Sequence, residues 1–155
     1  MSDRKQPPAI DAMTVEPHSG SSYPEGFRET TEARVKRRLG DALGLTGFGI
    51  NLVTMAPGCW SAQRHWHSLE DEFVYVLSGR LTLVTESGEQ ELGPGMIAGF
   101  PAGVADGHCL INKSDQPATY LEVGDRIEAD AVAYPDIDLA IPAGGGFTNK
   151  AGEPY

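Results

Sequence analysis

Between residues 48 and 123 the chain is a succession of short apolar runs, each ended within eight residues by a glycine or proline turn. That punctuation leaves little room for helices and points to antiparallel strands. The runs at 48–55, 73–77, 81–85, 90–92, 96–100, 108–112 and 118–123 are rich in Val, Leu, Ile, Thr and aromatics. They stop at Pro57-Gly58, Ser78-Gly79, Glu86-Ser87-Gly88, Gly93-Pro94-Gly95 and Pro101. Short strands with tight turns and no long helical period predict an all-β barrel or sandwich.

The flanks are different. Residues 1–26 are rich in Pro, Ser, Asp and Glu and lack an apolar period, so they read as an irregular N-terminal arm; Pro7-Pro8 and Pro24 oppose a helix there. Residues 28–38 fit either an amphipathic helix or, over 34–39, a strand, and the strand is the preferred reading. After residue 130 comes a C-terminal tail, 131–155, in which residues 147–152 predict a small hairpin turning at Ala151-Gly152. The barrel itself is placed at 27–130. A chain of 155 residues holds one such domain and not two.

In the strand at 73–77, Phe73, Tyr75 and Leu77 fall on one face and Val74 and Val76 on the other, so both faces are apolar. A small barrel needs only its inward face apolar, and the outward one predicts a cover, either the terminal arms or a second subunit, of which a homodimer is the preferred reading.

The formal charge of -10 disfavours nucleic acid and anionic membranes as partners. The basic run Arg34, Lys36, Arg37, Arg38 is short and has no interleaved aromatics, and reads as a solvated face. No stretch approaches the ~20 apolar residues of a membrane span. The polar start at residues 1–5 does not resemble a secretory signal, which makes the cytoplasm the expected location. Cys59 and Cys109 are too few for a disulfide framework and read as small buried hydrophobes.

Chemistry concentrates in two segments. In Arg64-His65-Trp66-His67-Ser68-Leu69-Glu70-Asp71-Glu72, the two histidines are two positions apart, so on a strand they share a face. Two imidazoles held together repel when protonated, and a divalent cation relieves this. Glu72 opens the next strand and can return to the same side as an anionic ligand. Further on, Pro101-Ala102-Gly103-Val104-Ala105-Asp106-Gly107-His108 supplies a third histidine from a distant strand. His18, in the polar arm, reads as solvated.

These residues resemble the two motifs of the cupin superfamily. His65, His67, Glu72 and Gly79 match the first motif, and Pro57-Gly58 stands just upstream, with six residues rather than the usual five before His65. Gly95, Pro101, Gly103, His108 and Asn112 match the second, with four residues rather than two between Gly103 and His108. The spacing to Gly79 favours Glu72 over Glu70 and Asp71, which read as exposed loop charges.

The resemblance implies a double-stranded β-helix, the jelly-roll cupin barrel. It also implies one divalent transition metal in the barrel mouth, held by His65, His67, Glu72 and His108. Fe, Mn, Co, Ni and Zn all suit three imidazoles and a carboxylate. More narrowly, the segments around the motifs resemble a group of small bacterial cupins, some of which carry the label sugar-phosphate isomerase.

The expected function is therefore a metal-dependent enzyme acting on a small oxygenated molecule, of isomerase type. An Fe(II) dioxygenase and a non-catalytic metal or ligand sensor are the alternatives. No catalytic base stands out. Trp60, Trp66 and Phe100 are candidate pocket residues, although packing is the commoner role for such aromatics. Arg64 lies one step from His65, hence on the opposite face, and Arg80 and Lys113 lie in turns. None is a convincing phosphate ligand, which counts against a sugar phosphate.

Overall fold

In the computed structural model, which describes residues 8–155, the alternating runs form strands as their patterns demand. The polar start at residues 1–5, and Pro7 of the Pro7-Pro8 pair, lie outside the described residues. The strands are β1 (Pro17–Ser19), β2 (Val35–Arg38), β3 (Phe48–Met55), β4 (Trp66–His67), β5 (Glu72–Ser78), β6 (Leu81–Thr85), β7 (Gly88–Leu92), β8 (Ile97–Phe100), β9 (Cys109–Ile111), β10 (Ala118–Asp125), β11 (Val132–Ala133) and β12 (Ala140–Ile141). A single helical turn, α1 (Leu39–Ala42), follows β2. The ambiguous basic segment is thus a strand that ends in one turn of helix.

One layer is a six-stranded antiparallel sheet in the order β1-β2-β3-β10-β5-β8. The other is made of two three-stranded pieces, β7-β6-β9 and β12-β11-β4. These are joined where the chain before β4 runs beside β9, with Trp60 opposite Ile111 and His65 opposite His108. Two facing antiparallel layers wound in this order make the jelly roll.

Inward residues of both layers form the main core. Val53 and Met55 of β3, Val76 of β5 and Tyr120 of β10 are wholly buried against Leu81 and Leu92. Gly79 shows how tightly the β5–β6 turn is drawn in. Its φ is +76°, and a Cβ there would lie 2.7 Å from the Cα of Ala118, so no side chain fits.

Arm and tail build a second, smaller core. Tyr23 from the arm packs edge-on against Tyr134 of the tail, ring centroids 6.0 Å apart. Leu139 is fully buried with them, and Phe27 and Phe147 lean on the cluster. The terminal hairpin forms: the Gly152 N–H donates to Asn149 O at 3.0 Å and the Asn149 N–H to Glu153 O at 2.8 Å. Phe73, Tyr75 and Leu77 do face outward, each about two-fifths exposed, with Ile97 beside Tyr75.

A candidate metal centre in the barrel mouth

Three backbone devices aim the four candidate side chains at one point. His65 and His108 exchange two backbone hydrogen bonds, His65 N to His108 O at 3.1 Å and His108 N to His65 O at 2.9 Å. They are therefore directly opposed, with side chains on the same face. β4 carries His67 two positions on, restoring that face. Glu72 shares the inward parity of Val74 and Val76 on β5. The longer loop after Gly103 does not displace His108, because this pairing fixes it.

The result is convergence on the Glu72 carboxylate. His108 Nε2 lies 2.7 Å from Glu72 Oε2, His65 Nε2 lies 3.5 Å from the same oxygen, and His67 Nε2 lies 3.4 Å from Oε1. Candidate ligand atoms of His65, His67 and Glu72 all fall within 4.8 Å of one another, and His108 joins them through Glu72. The ring of Phe100 stacks on His108 with centroids 3.5 Å apart and planes 3° from parallel, which fixes the imidazole's orientation.

Hydrogen bonds at the far side of two rings set their tautomers. His65 Nδ1 is 2.8 Å from Gln63 O, a carbonyl that can only accept, so that nitrogen carries the proton. His67 Nδ1 is 2.6 Å from Asp130 Oδ2 and likewise donates. In the neutral rings both Nε2 atoms then point lone pairs at the carboxylate. Asp130, almost buried, is held by the N–H groups of Leu69 at 2.7 Å and Glu70 at 3.3 Å and by the Ser68 hydroxyl at 3.2 Å. Nothing in the sequence marks Asp130, 63 positions from His67.

Glu70 is not the exposed loop charge its position suggested. Its Oε1 accepts the Ile127 N–H at 2.7 Å, and its Oε2 lies 3.5 Å from His67 Nδ1. His67, Glu70 and Asp130 also form a tight triad, but backbone donors and His67 already occupy it, so it is a cage around His67. Asp71 is exposed, as expected.

The electrostatics are those of a strained pocket. Burial alone would raise the Glu72 pKa, yet the imidazoles of His108, His65 and His67 hold it far below the usual carboxylate range. For His67 burial works against protonation, but Glu72 and Asp130 outweigh it and raise the pKa to about 9. Burial lowers that of His108 despite Glu72. Glu72 Oε2 and His108 Nδ1 are buried without a hydrogen-bond partner among the described residues. An orphaned carboxylate oxygen facing imidazole lone pairs is what a cation would satisfy, so the residues fit a divalent metal.

His65, Glu72 and His108 line a cavity of about 360 Å³ between the two layers. Arg34, Lys36 and Glu122 line it too. Two members of the basic run therefore face inward, contrary to its reading as a solvated face. The signal was there: in Arg34-Val35-Lys36-Arg37-Arg38 both strand faces carry charge, so either orientation brings a cation inside. Lys36 Nζ donates to Glu122 Oε1 at 2.6 Å, and Asn51 Nδ2 donates to the same oxygen at 2.9 Å.

Other singled-out residues have structural tasks. Arg64 points away from the cavity and binds Asp136 through two bonds of 2.8 and 2.7 Å, Glu86 at 2.8 Å and Gly107 O at 3.1 Å. Asn112, fully buried, donates to Met55 O at 2.9 Å and Gln116 O at 2.8 Å. Both cysteines are buried and free, and burial raises the Cys109 pKa to about 11, so it stays a thiol.

Comparison with known proteins agrees with this architecture. The cupin domain family matches residues 51–124. A crystal structure described as a sugar phosphate isomerase of the cupin superfamily, from Silicibacter pomeroyi, is 43% identical, covers 96% of both chains and superposes with a TM-score of 0.89. A putative sugar phosphate isomerase from Acidithiobacillus ferrooxidans is 36% identical over 76% of this chain and 77% of that one, TM-score 0.70. The polyketide cyclase RemF from Streptomyces resistomycificus, 22% identical over 76% of this chain and 78% of its own, TM-score 0.61, shares the fold. Among curated proteins none matches. With both sequence motifs in place on a jelly roll, and a 43% identical cupin matching 96% of its length, the chain belongs to the cupin superfamily.

Proposed function

We propose that this cupin is a metal-dependent isomerase of a small oxygenated, sugar-like substrate, with its cation held by His65, His67, His108 and Glu72. The observation that carries the reading is the convergence of three Nε2 atoms on the one carboxylate of Glu72, whose Oε2 is buried and without a partner among the described residues. The names of the two cupins at 43% and 36% identity support the isomerase class. When bound, a divalent cation supplies a Lewis acid that polarises a carbonyl and makes the neighbouring C–H acidic.

The chain's own residues do the rest. Gln63 O and Asp130 hold the protons of His65 and His67 on Nδ1, keeping Nε2 available. Phe100 covers one face of His108 and keeps water from it. Proton movement falls to Glu122. Its Oε1 is saturated by Lys36 and Asn51, whereas its Oε2 has only a long contact of 3.4 Å from the Tyr120 hydroxyl.

The reading extends to assembly and location. The apolar strip Phe73, Tyr75, Leu77 and Ile97 asks for a cover, and a second copy of the chain is the cover we propose. Sedimentation at micromolar concentration should give the dimer mass, and Tyr75→Glu should give the monomer. No helix among the described residues is long and apolar enough to cross a membrane, and the two free thiols are at ease in a reducing compartment, so the cytoplasm is the proposed location.

The test is an anaerobic panel of aldose and ketose phosphates followed by NMR in deuterated water. Interconversion with deuterium entering beside the carbonyl, lost in Glu122→Gln, is the expected result. Dioxygen uptake with Fe(II), or tight retention of a ligand without turnover, would contradict it.

A further inference from the structure

Arg34 stands out among the charged groups of the cavity. Lys36 is neutralised by Glu122 and Arg126 by Asp41. Among the described residues Arg34 has no carboxylate within salt-bridge distance. Only Nη1 of its guanidinium is used, donating to Ser61 O on the opposite layer. That bond pins the group across the gap between sheets. Nε is buried with no partner, and Nη2 makes no side-chain hydrogen bond to a described residue. A half-buried guanidinium without a counter-charge is unfavourable in the free protein, because desolvation is not offset. The Nε–Nη2 edge that remains offers two parallel N–H donors, the geometry that grips both oxygens of a carboxylate or phosphate.

We infer that Arg34 is the anion receptor of the cavity, taking the terminal phosphate or carboxylate of the substrate on its Nε–Nη2 edge. This rests on the proposed function in one respect only: that the cavity shared with His65, Glu72 and His108 is the substrate site. The substrate class then narrows to a small molecule with an oxyanion at one end and a carbonyl or hydroxyl at the other. A volume of about 360 Å³ admits a molecule of a few carbons and no polymer. Arg64, Arg80 and Lys113, the cations considered near the two motifs, do not line this cavity. The candidate lies about thirty positions upstream, on the segment leading into β2.

Arginine side-chain NMR tests this on wild-type protein. The Nε–H signal of Arg34, assigned by its absence in Arg34→Lys, is followed during titration with inorganic phosphate and separately with acetate. The titrations use protein as purified and protein stripped of metal by a chelator, with metal content measured alongside. The signal should shift saturably with at least one anion in both forms, the stronger one naming the group. Arg34→Gln should weaken that anion about 10- to 100-fold with metal content unchanged.

Binding that vanishes on stripping and is untouched by Arg34→Gln places the anion on the metal and overturns the inference while leaving the proposed function standing. Binding lost in Arg34→Gln by protein that never takes up metal supports the inference and removes the metal reading instead. An Nε–H signal that neither anion moves overturns the inference. Should Arg34→Gln fail to fold, the wild-type titrations and Arg34→Lys, which keeps the charge but not the fork, decide it.

Discussion

β3 and β5 each serve two different interiors. At one end the side chains of Met55 and Val53 of β3 and Val76 of β5 are wholly excluded from solvent and belong to the apolar core. Four positions along each strand, at the mouth, the same inward parity presents Asn51 and Glu72, which meet glutamate and imidazole respectively. Both ends are antiparallel strand with the same alternation, although β10 shifts register against β5 at the closed end. The difference is chemical: the closed end removes apolar surface from water, and the open end gathers polar groups left incomplete by the protein alone. Stability should therefore reside in one half and ligand binding in the other.

The most damaging substitution belongs to the closed half. Met55→Ala should cost about 2–5 kcal/mol in chemical denaturation, yet the folded fraction should bind metal as wild type does. Proportional loss of metal would mean that the two halves are not separable. At the mouth, Glu72→Gln preserves shape and removes the charge on which the imidazoles converge. Divalent-metal affinity, measured by calorimetry, should fall by more than about 100-fold, or roughly 2.7 kcal/mol.

One layer out, Asp130→Asn should weaken the metal by about 10- to 100-fold, because the Leu69 and Glu70 N–H groups and the Ser68 hydroxyl claim the amide oxygen and turn its NH2 toward His67 Nδ1, while every direct donor remains. The next effect is on pH. In the metal-free protein His67 keeps its proton up to about pH 9. Its folded pKa is raised, so its contribution to stability is complete below its unfolded value near 6.5 and fades as pH rises through about 9. A metal must displace that proton, so affinity should rise about tenfold per pH unit from 7 and flatten above about 9. An affinity independent of pH would show that His67 is not a ligand.

The smallest effect is expected on the outer face. Asp136→Ala breaks the two-bond pair with Arg64, but Asp136 is mostly exposed, and a loss of no more than about 1 kcal/mol with unchanged metal binding should follow.

How much of this could be read from the chain depends on where each partner comes from. The strands at 73–77 and 81–85 were legible because alternation and the Ser78-Gly79 turn are local signals. His65, His67 and Glu72 were legible because their spacing fixes a face. His108 was legible by type and motif, although its placement depends on pairing with His65, which spacing does not reveal. Asp130 was not legible, since its role depends on the tail bringing it back beside His67. Nor was the contribution of the arm and tail to the walls, where Tyr134 lies against His65 with ring centroids 5.8 Å apart. Arg34 was hidden by its own neighbours, because a run with cations on both faces does not say which face turns inward.

The central claim is that four side chains gathered at the mouth hold a single cation. Elemental analysis of protein purified without added metal or a chelating tag, beside Glu72→Gln and His108→Ala treated alike, addresses it most directly. Close to one equivalent of a transition metal in the wild type and little in either variant is the predicted result. A wild type that contains none and takes up none when Fe(II), Mn(II), Co(II), Ni(II) or Zn(II) is supplied, or variants that retain a full equivalent, would contradict it.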